Sequence, residues 1–195
     1  MEILLATNNL GKVREMKNIL SDLDIEVFSL KDKDISIEVL EDGTTFEENS
    51  MKKAYEVCKV SNMICVADDS GLEVDYLNGA PGVYSARYGG ENISDADRYK
   101  ILLKELEQVE QEKRTARFVS VISIVYPNGE KYSVRGECEG LITAEAKGEG
   151  GFGYDPVFYS VDLNKTFGEA TADEKNKVSH RARALELLKT YLANK

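Results

Sequence analysis

The 195-residue sequence has only three cysteines, Cys58, Cys65 and Cys138, an odd number with no CxxC spacing. Such sparse use argues against secretion and for a reduced, cytoplasmic setting. No stretch approaches the ~18 apolar residues of a membrane-spanning helix. Met1-Glu2-Ile3 runs straight into a strand-like segment without a basic leader region, so no cleavable signal is expected. Internal repeats, low-complexity tracts and Pro/Gly/Ser-rich linkers are missing as well. A single histidine, His180, has no serine or cysteine motif to complete a nucleophile pair, and a lone histidine is more often structural. Positive charge is also short: 25 Lys and Arg against 35 Asp and Glu leave a net charge of −10. Nucleic acid and anionic membranes would be repelled by that field. A small phosphorylated substrate is still permitted, because a few lysines in a cleft reverse the potential locally.

With 42% hydrophobic and 31% charged residues, the composition is that of a globular protein. The length suits one domain over residues 1–195, in two lobes around one sheet. It lets the chain bury roughly 70% of its unfolded surface, so folding needs no disulfide or metal. The apolar run Ile3-Leu4-Leu5-Ala6 reads as a buried strand. A helix should follow with Val13, Met16, Leu20 and Leu23 on one face, then a strand near Glu26–Leu30. Overlapping capping boxes, Thr44 with Glu47 and Thr45 with Glu48, open a helix to about Val60. Met63–Ala67 is a strand that should end at Asp68-Asp69-Ser70-Gly71, before an alternating segment through Leu72, Val74 and Tyr76. Ser94 caps a further helix, and Phe118–Tyr126 turns at Pro127-Asn128-Gly129 into a hairpin with Lys131–Val134. After a glycine-rich loop and a short strand at Val157–Tyr159, the last helix begins at Thr171, boxed by Glu174. Interleaved helices and strands with one antiparallel hairpin make the class α/β with a mixed sheet.

Three segments stand where open α/β sheets place ligands. In Thr7-Asn8-Asn9-Leu10-Gly11-Lys12, a strand, a polar loop and a helix start suit phosphate, with Lys12 adding a full charge to the helix dipole. It is not a Walker A loop, and an ordinary turn with a surface lysine fits the same pattern. Asp68-Asp69 at a strand end would repel unless a cation relieved them; magnesium does so while keeping places for water and phosphate. Glu41 offers a further carboxylate, and a solvated acidic turn is the alternative. Phe46, Asn49, Lys53 and Val57 share one helix face, as if lining a cleft, although Lys53 snorkelling past an apolar edge explains it too. Gly148–Gly153 contains Gly-x-Gly-x-x-Gly, but Pro156 predicts an extended exit where a dinucleotide site needs a helix. Phe152 and Tyr154 could instead stack on a flat base, the other reading being a structural hairpin loop. Arg181 could donate to a purine ring oxygen, and Lys175 lies one turn before Ser179.

The order of these motifs is distinctive. Thr7-x-Asn9-x-x-Lys12, Glu41, Phe46-x-x-Asn49, Lys53-Ala54, Asp68-Asp69-Ser70-Gly71-Leu72, Gly79–Arg87, Phe152-Gly153-Tyr154-Asp155-Pro156 and Ser179-His180-Arg181 together closely resemble the inosine triphosphate pyrophosphatase family, the XTP/dITP diphosphatases. The likeness covers essentially the whole chain. It implies an elongated two-lobed α/β fold around a long curved mixed sheet with flanking helices, an active cleft between the lobes, and a homodimer. It implies hydrolysis of ITP, dITP or XTP to the monophosphate and pyrophosphate. By the resemblance, Thr7, Asn9 and Lys12 hold the triphosphate, with Asn8 at a variable position and Lys53 assisting. Glu41 and Asp69 bind magnesium, with Asp68 a lesser candidate. Asp69 is also the general base and Ser70 touches substrate. Phe152, Gly153, Tyr154, Asp155, Lys175, His180 and Arg181 form the base pocket. A Maf-like pyrimidine triphosphate pyrophosphatase is the nearest rival. A nucleotide sensor that binds without hydrolysis is the more distant one.

Overall fold

The computed structural model describes residues 1–21 and 23–195. In chain order its regular elements are β1 (Glu2–Leu5), α1 (Leu10–Ile19), β2 (Glu26–Ser29), α2 (Phe46–Ser61), β3 (Ile64–Val74), α3 (Asp95–Glu105), β4 (Thr115–Val125), β5 (Lys131–Ile142), β6 (Phe158–Ser160), β7 (Lys165–Thr166), α4 (Ala172–Val178) and α5 (His180–Ala193). Among the described residues the strands form one mixed sheet in the order β2-β1-β3-β4-β5-β6-β7. β1 runs parallel to β2 and to β3, whereas β5–β6 and β6–β7 are antiparallel. No described helix is long and apolar enough to cross a membrane.

Contacts divide the chain into two units. The first comprises Met1–Asp69, Ser120–Gly136 and Ala182–Lys195, and the second Ser70–Val119 and Glu137–Arg181. In the first unit both faces of the sheet are covered, which is why β1 reads as an unbroken apolar run rather than an alternation. Ile3, Leu5, Val66, Ile122 and Ile124 pack with Val13 and Met16 of α1 and with Leu185 and Leu188 of α5. Leu4, Cys65, Ala67 and Val125 point the other way, onto Ala54, Val57 and Cys58 of α2. Strand alternation alone produces this sorting. In the second unit Leu72, Val74, Phe118, Cys138 and Ile142 pack with Leu102 and Leu106 and with Phe158 and Phe167. The Phe118 ring lies 4.6 Å from that of Phe158. Cys58, Cys65 and Cys138 are all buried free thiols, and burial pushes Cys65 up to about 12.

Three expectations need correction. β3 does not end at Asp68-Asp69-Ser70-Gly71 but runs through it as one 11-residue strand. The acidic pair is tolerated in a strand because two lysines distant in sequence, Lys12 and Lys53, offset its charge. The last helix is also not continuous from Thr171. Ser179 leaves helical geometry at φ −64° and ψ 154°, separating α4 from α5. Serine favours such a break because its hydroxyl competes for backbone hydrogen bonds. The hairpin is also longer than its apolar pattern indicated, β5 continuing to Ile142.

Candidate active site

The first cluster lies within the first unit, at the end of β1, the start of α1 and the middle of α2 and β3. Asn9 is the N-cap of α1: its Oδ1 accepts from the Gly11 and Lys12 backbone N–H groups at 2.9 and 3.1 Å. Thr7 Oγ1 in turn accepts from Asn9 N at 3.1 Å. Thr7 and Asn9 thus fold the loop that Asn8 completes at the surface, and they start the helix that carries Lys12. The Lys12 ammonium forms an ion pair with Asp68 Oδ2 and donates to the Asp68 carbonyl at 3.4 Å.

On α2, Phe46, Asn49 and Val57 are buried and the Lys53 side chain is 13% exposed, as the shared helix face predicted. Lys53 Nζ donates to the Asp68 carbonyl at 3.0 Å, to Glu41 Oε2 at 3.1 Å and to Asp69 Oδ1 at 3.5 Å. The Glu41 segment is fastened to the helix start. Asn49 Oδ1 accepts from Gly43 N at 2.8 Å, and Glu48 Oε2 accepts from Thr44 N at 2.7 Å. Only glycine fits at Gly43, since a Cβ there would lie 2.7 Å from Asn49 Oδ1.

Asp68 and Asp69 differ sharply despite being adjacent. Asp68 accepts from Ser120 Oγ at 2.5 Å through Oδ1 and pairs with Lys12 through Oδ2. Asp69 offers Oδ1 to Lys53, while its buried Oδ2 has no hydrogen-bond partner. Burial pushes the Asp69 carboxyl above its ordinary value; the positive charges of Lys53 and Lys12 oppose this, and the negative charges of Glu41 and Asp68 reinforce it. Among the described residues no three Asp, Glu, His or Cys side chains converge as a closed metal site. The donors present nevertheless suit magnesium, which is commonly held by one or two carboxylates plus substrate phosphates. Asp69 Oδ2 is an unsatisfied buried oxygen, and Glu41 reaches the same ammonium as Asp69.

The second cluster lies within the second unit. Arg181 is buried and donates through Nη2 to Ser70 Oγ at 3.1 Å. The buried His180 ring stacks on Phe118, with centroids 4.9 Å apart. Asp155 organises the glycine-rich loop: its Oδ2 accepts from Phe152 N at 2.9 Å and from Lys175 Nζ at 2.5 Å. Burial raises the Asp155 carboxyl, and the Lys175 charge opposes the rise. A Cβ on Gly151, whose φ is +74°, would fall 1.9 Å from that same oxygen. Lys175 Nζ also stands 4.7 Å from the centre of the Phe152 ring, which is half exposed and can offer a face to a flat base. Gly153 N donates to Asp95 Oδ2 at 2.8 Å.

Tyr154 departs from the expectation that its ring closes over a base. It is 4% exposed, and its hydroxyl donates to the Ser85 carbonyl at 2.9 Å, so it anchors the loop from below. The sequence assigns no role in the site to Ser120, Ser85 or Asp95. A signal was available for Ser120, a hydroxyl between Val119 and Val121 at the centre of an apolar stretch of strand, although Ser123 in the same strand shares it.

The chain is similar to known proteins in sequence and in fold. The sequence model of the Ham1 family matches residues 3–191. A dITP/XTP pyrophosphatase of Clostridium perfringens is 51% identical, over 98% of this chain and 97% of its own length. One from Bacillus subtilis is 48% identical, over 98% and 96%. The structure of the Staphylococcus aureus Ham1 protein superposes with a TM-score of 0.92 at 42% identity, covering 100% of this chain and 99% of its own. A HAM1 protein from Coxiella burnetii superposes at 0.93 with 40% identity, covering both chains fully. With this match over nearly its whole length in sequence and in fold, the chain belongs to the Ham1 family.

Proposed function

We propose that this chain is a nucleoside triphosphate pyrophosphatase that hydrolyses dITP, ITP and XTP to the monophosphate and pyrophosphate. The observation that carries the reading is Asp69: a buried carboxylate, raised by its surroundings, with one oxygen unpartnered beside two lysines. The relatives named dITP/XTP pyrophosphatase supply the substrate class. Lys12 and Lys53, with the loop folded by Thr7 and Asn9, take the triphosphate. Magnesium, held by Glu41 and Asp69, would neutralise phosphate charge and acidify water at the site. Asp69 Oδ2 accepts the proton of the attacking water while its oxygen bonds to the α-phosphorus. The bond from that phosphorus to the bridging oxygen breaks, and pyrophosphate departs with the electron pair.

Phe152 offers a stacking face for the base, set by Asp155 and Lys175 beneath it. Arg181 supplies donors suited to the 6-oxo group of hypoxanthine or xanthine. Adenine would present a donor to a donor, and an unpaired buried group costs about 1–3 kcal/mol. Work in a reducing cytoplasm belongs to the same reading and is supported by three buried free thiols. Assembly as a homodimer rests on the family resemblance, and sedimentation velocity tests it.

The deciding assay follows pyrophosphate and orthophosphate separately with Mg²⁺ and dITP, ITP, XTP, ATP, GTP, UTP or dTTP. Rapid pyrophosphate release confined to the first three is expected. Turnover mainly of UTP or dTTP would transfer the chain to the Maf-like reading. Orthophosphate as first product would mean attack at the γ-phosphorus and end the mechanism above.

A further inference from the structure

Ser120 sits at the centre of β4 and is completely buried, flanked by Val119, Val121 and Ile122 with no exposed surface either. A hydroxyl in such a place has no water to bond, so it needs a partner within the protein. That partner is Asp68 Oδ1, at 2.5 Å. Strand alternation explains the meeting, because Ser120 points to the same side as Ile122 and Ile124, and Asp68 to the same side as Val66. Val13, at the foot of the helix that carries Lys12, packs on that side too. The other oxygen of Asp68 holds the Lys12 ammonium.

We infer that Ser120 is a positioning residue for Lys12, acting through Asp68. The inference rests on Lys12 being a triphosphate-holding residue, as proposed above. A lysine ammonium is a point charge on a flexible four-carbon stem, and its place is set by what it bonds. Asp68 supplies two acceptors to it, the carboxylate Oδ2 and the backbone carbonyl, which leaves one of three N–H donors for a phosphate oxygen. The carboxylate can hold that ammonium in one place only if it cannot itself rotate, and the bond from Ser120 prevents rotation. The two adjacent aspartates of β3 thereby divide their work: Asp68 is tied to a lysine and a serine, and Asp69 keeps an oxygen for the reaction.

The test compares wild type, Ser120→Ala, Lys12→Ala and the double variant, with thermal melting to establish that each is folded. Binding of inorganic pyrophosphate in EDTA is measured by calorimetry, and KM and kcat for dITP are measured with Mg²⁺. Ser120→Ala should weaken pyrophosphate binding and raise KM by about tenfold, with kcat within about twofold of wild type. In the Lys12→Ala background the same change should do nothing further. Ser120→Cys keeps the shape with a weak donor; it should fall between serine and alanine, and it carries the comparison should the alanine variant not fold. Unchanged pyrophosphate binding in Ser120→Ala overturns the inference. So does an equal loss with Lys12 absent, or a wild type that fails to bind pyrophosphate. A wild type that binds pyrophosphate yet leaves dITP intact strikes only the proposed function.

Discussion

Successive residues of a strand face opposite ways, so two adjacent carboxylates need not share an environment. Asp68 faces the side of Lys12 and Ser120, whereas Asp69 lies on the side of Lys53. Lys53 has three donors and three acceptors around it, the Asp68 carbonyl, Glu41 and Asp69, so its charge holds this acidic group together before any substrate arrives. Asp69→Asn tests the division directly. The amide is of the same size and can still accept from Lys53, but it cannot take a proton from water. The expected outcome is a fall in kcat of about 10²–10⁴-fold with the melting temperature and the affinity for pyrophosphate little changed. Stopped-assay turnover beside calorimetry would check it, and near-normal turnover would remove Asp69 as the base.

At the scale of elements, α4 is the short helix that delivers Lys175 beneath Phe152, and its start depends on charge. Thr171 Oγ1 accepts from Glu174 N, and Glu174 Oε2 accepts from Thr171 N at 2.8 Å. The hydrogen bond from Lys165 to Glu174, followed by that from the Thr171 backbone, lowers Glu174 from 4.5 to about 2. A folded-state pKa below the unfolded one gives stability that is present above about 4.5 and is lost as pH falls from there through about 2. The carboxyl carbon resonance of Glu174 should therefore titrate near 2 in the wild type, and Lys165→Met should move the midpoint back toward 4.5. A midpoint that ignores Lys165 would refute this account. The capping boxes at Thr45 and Thr171 were legible in the sequence because both partners lie within one turn of helix. The continuity of β3 was not, since the groups that let Asp68 sit inside a strand come from Ser120, 52 residues on, and Lys12, 56 residues back. For the same reason Tyr154 read as a stacking residue: nothing local announces that Ser85 receives its hydroxyl. The break at Ser179 had a local cause, but a serine between two helical stretches is tolerated often enough to pass unseen.

For the whole molecule, what matters is where the chain passes from one unit to the other. It does so after Asp69, Val119, Gly136 and Arg181. These points fall inside β3, β4, β5 and α5 respectively, and none lies in a loop. Domains that unfold separately are joined by exposed linkers across which few contacts pass. Here each passage is a hydrogen-bonded backbone segment, so melting either unit frays elements that belong to both. A single cooperative urea transition is expected, coincident by circular dichroism and by tyrosine fluorescence. Leu188 lies in the core of the first unit and Phe167 in that of the second, both fully buried. Leu188→Ala should lower the stability by about 2–5 kcal/mol and Phe167→Ala by about 3–5 kcal/mol. Both should do so by moving the one midpoint, with the slope of the transition preserved. Two resolved transitions, each shifted by only one of the substitutions, would show that the shared strands do not couple the units.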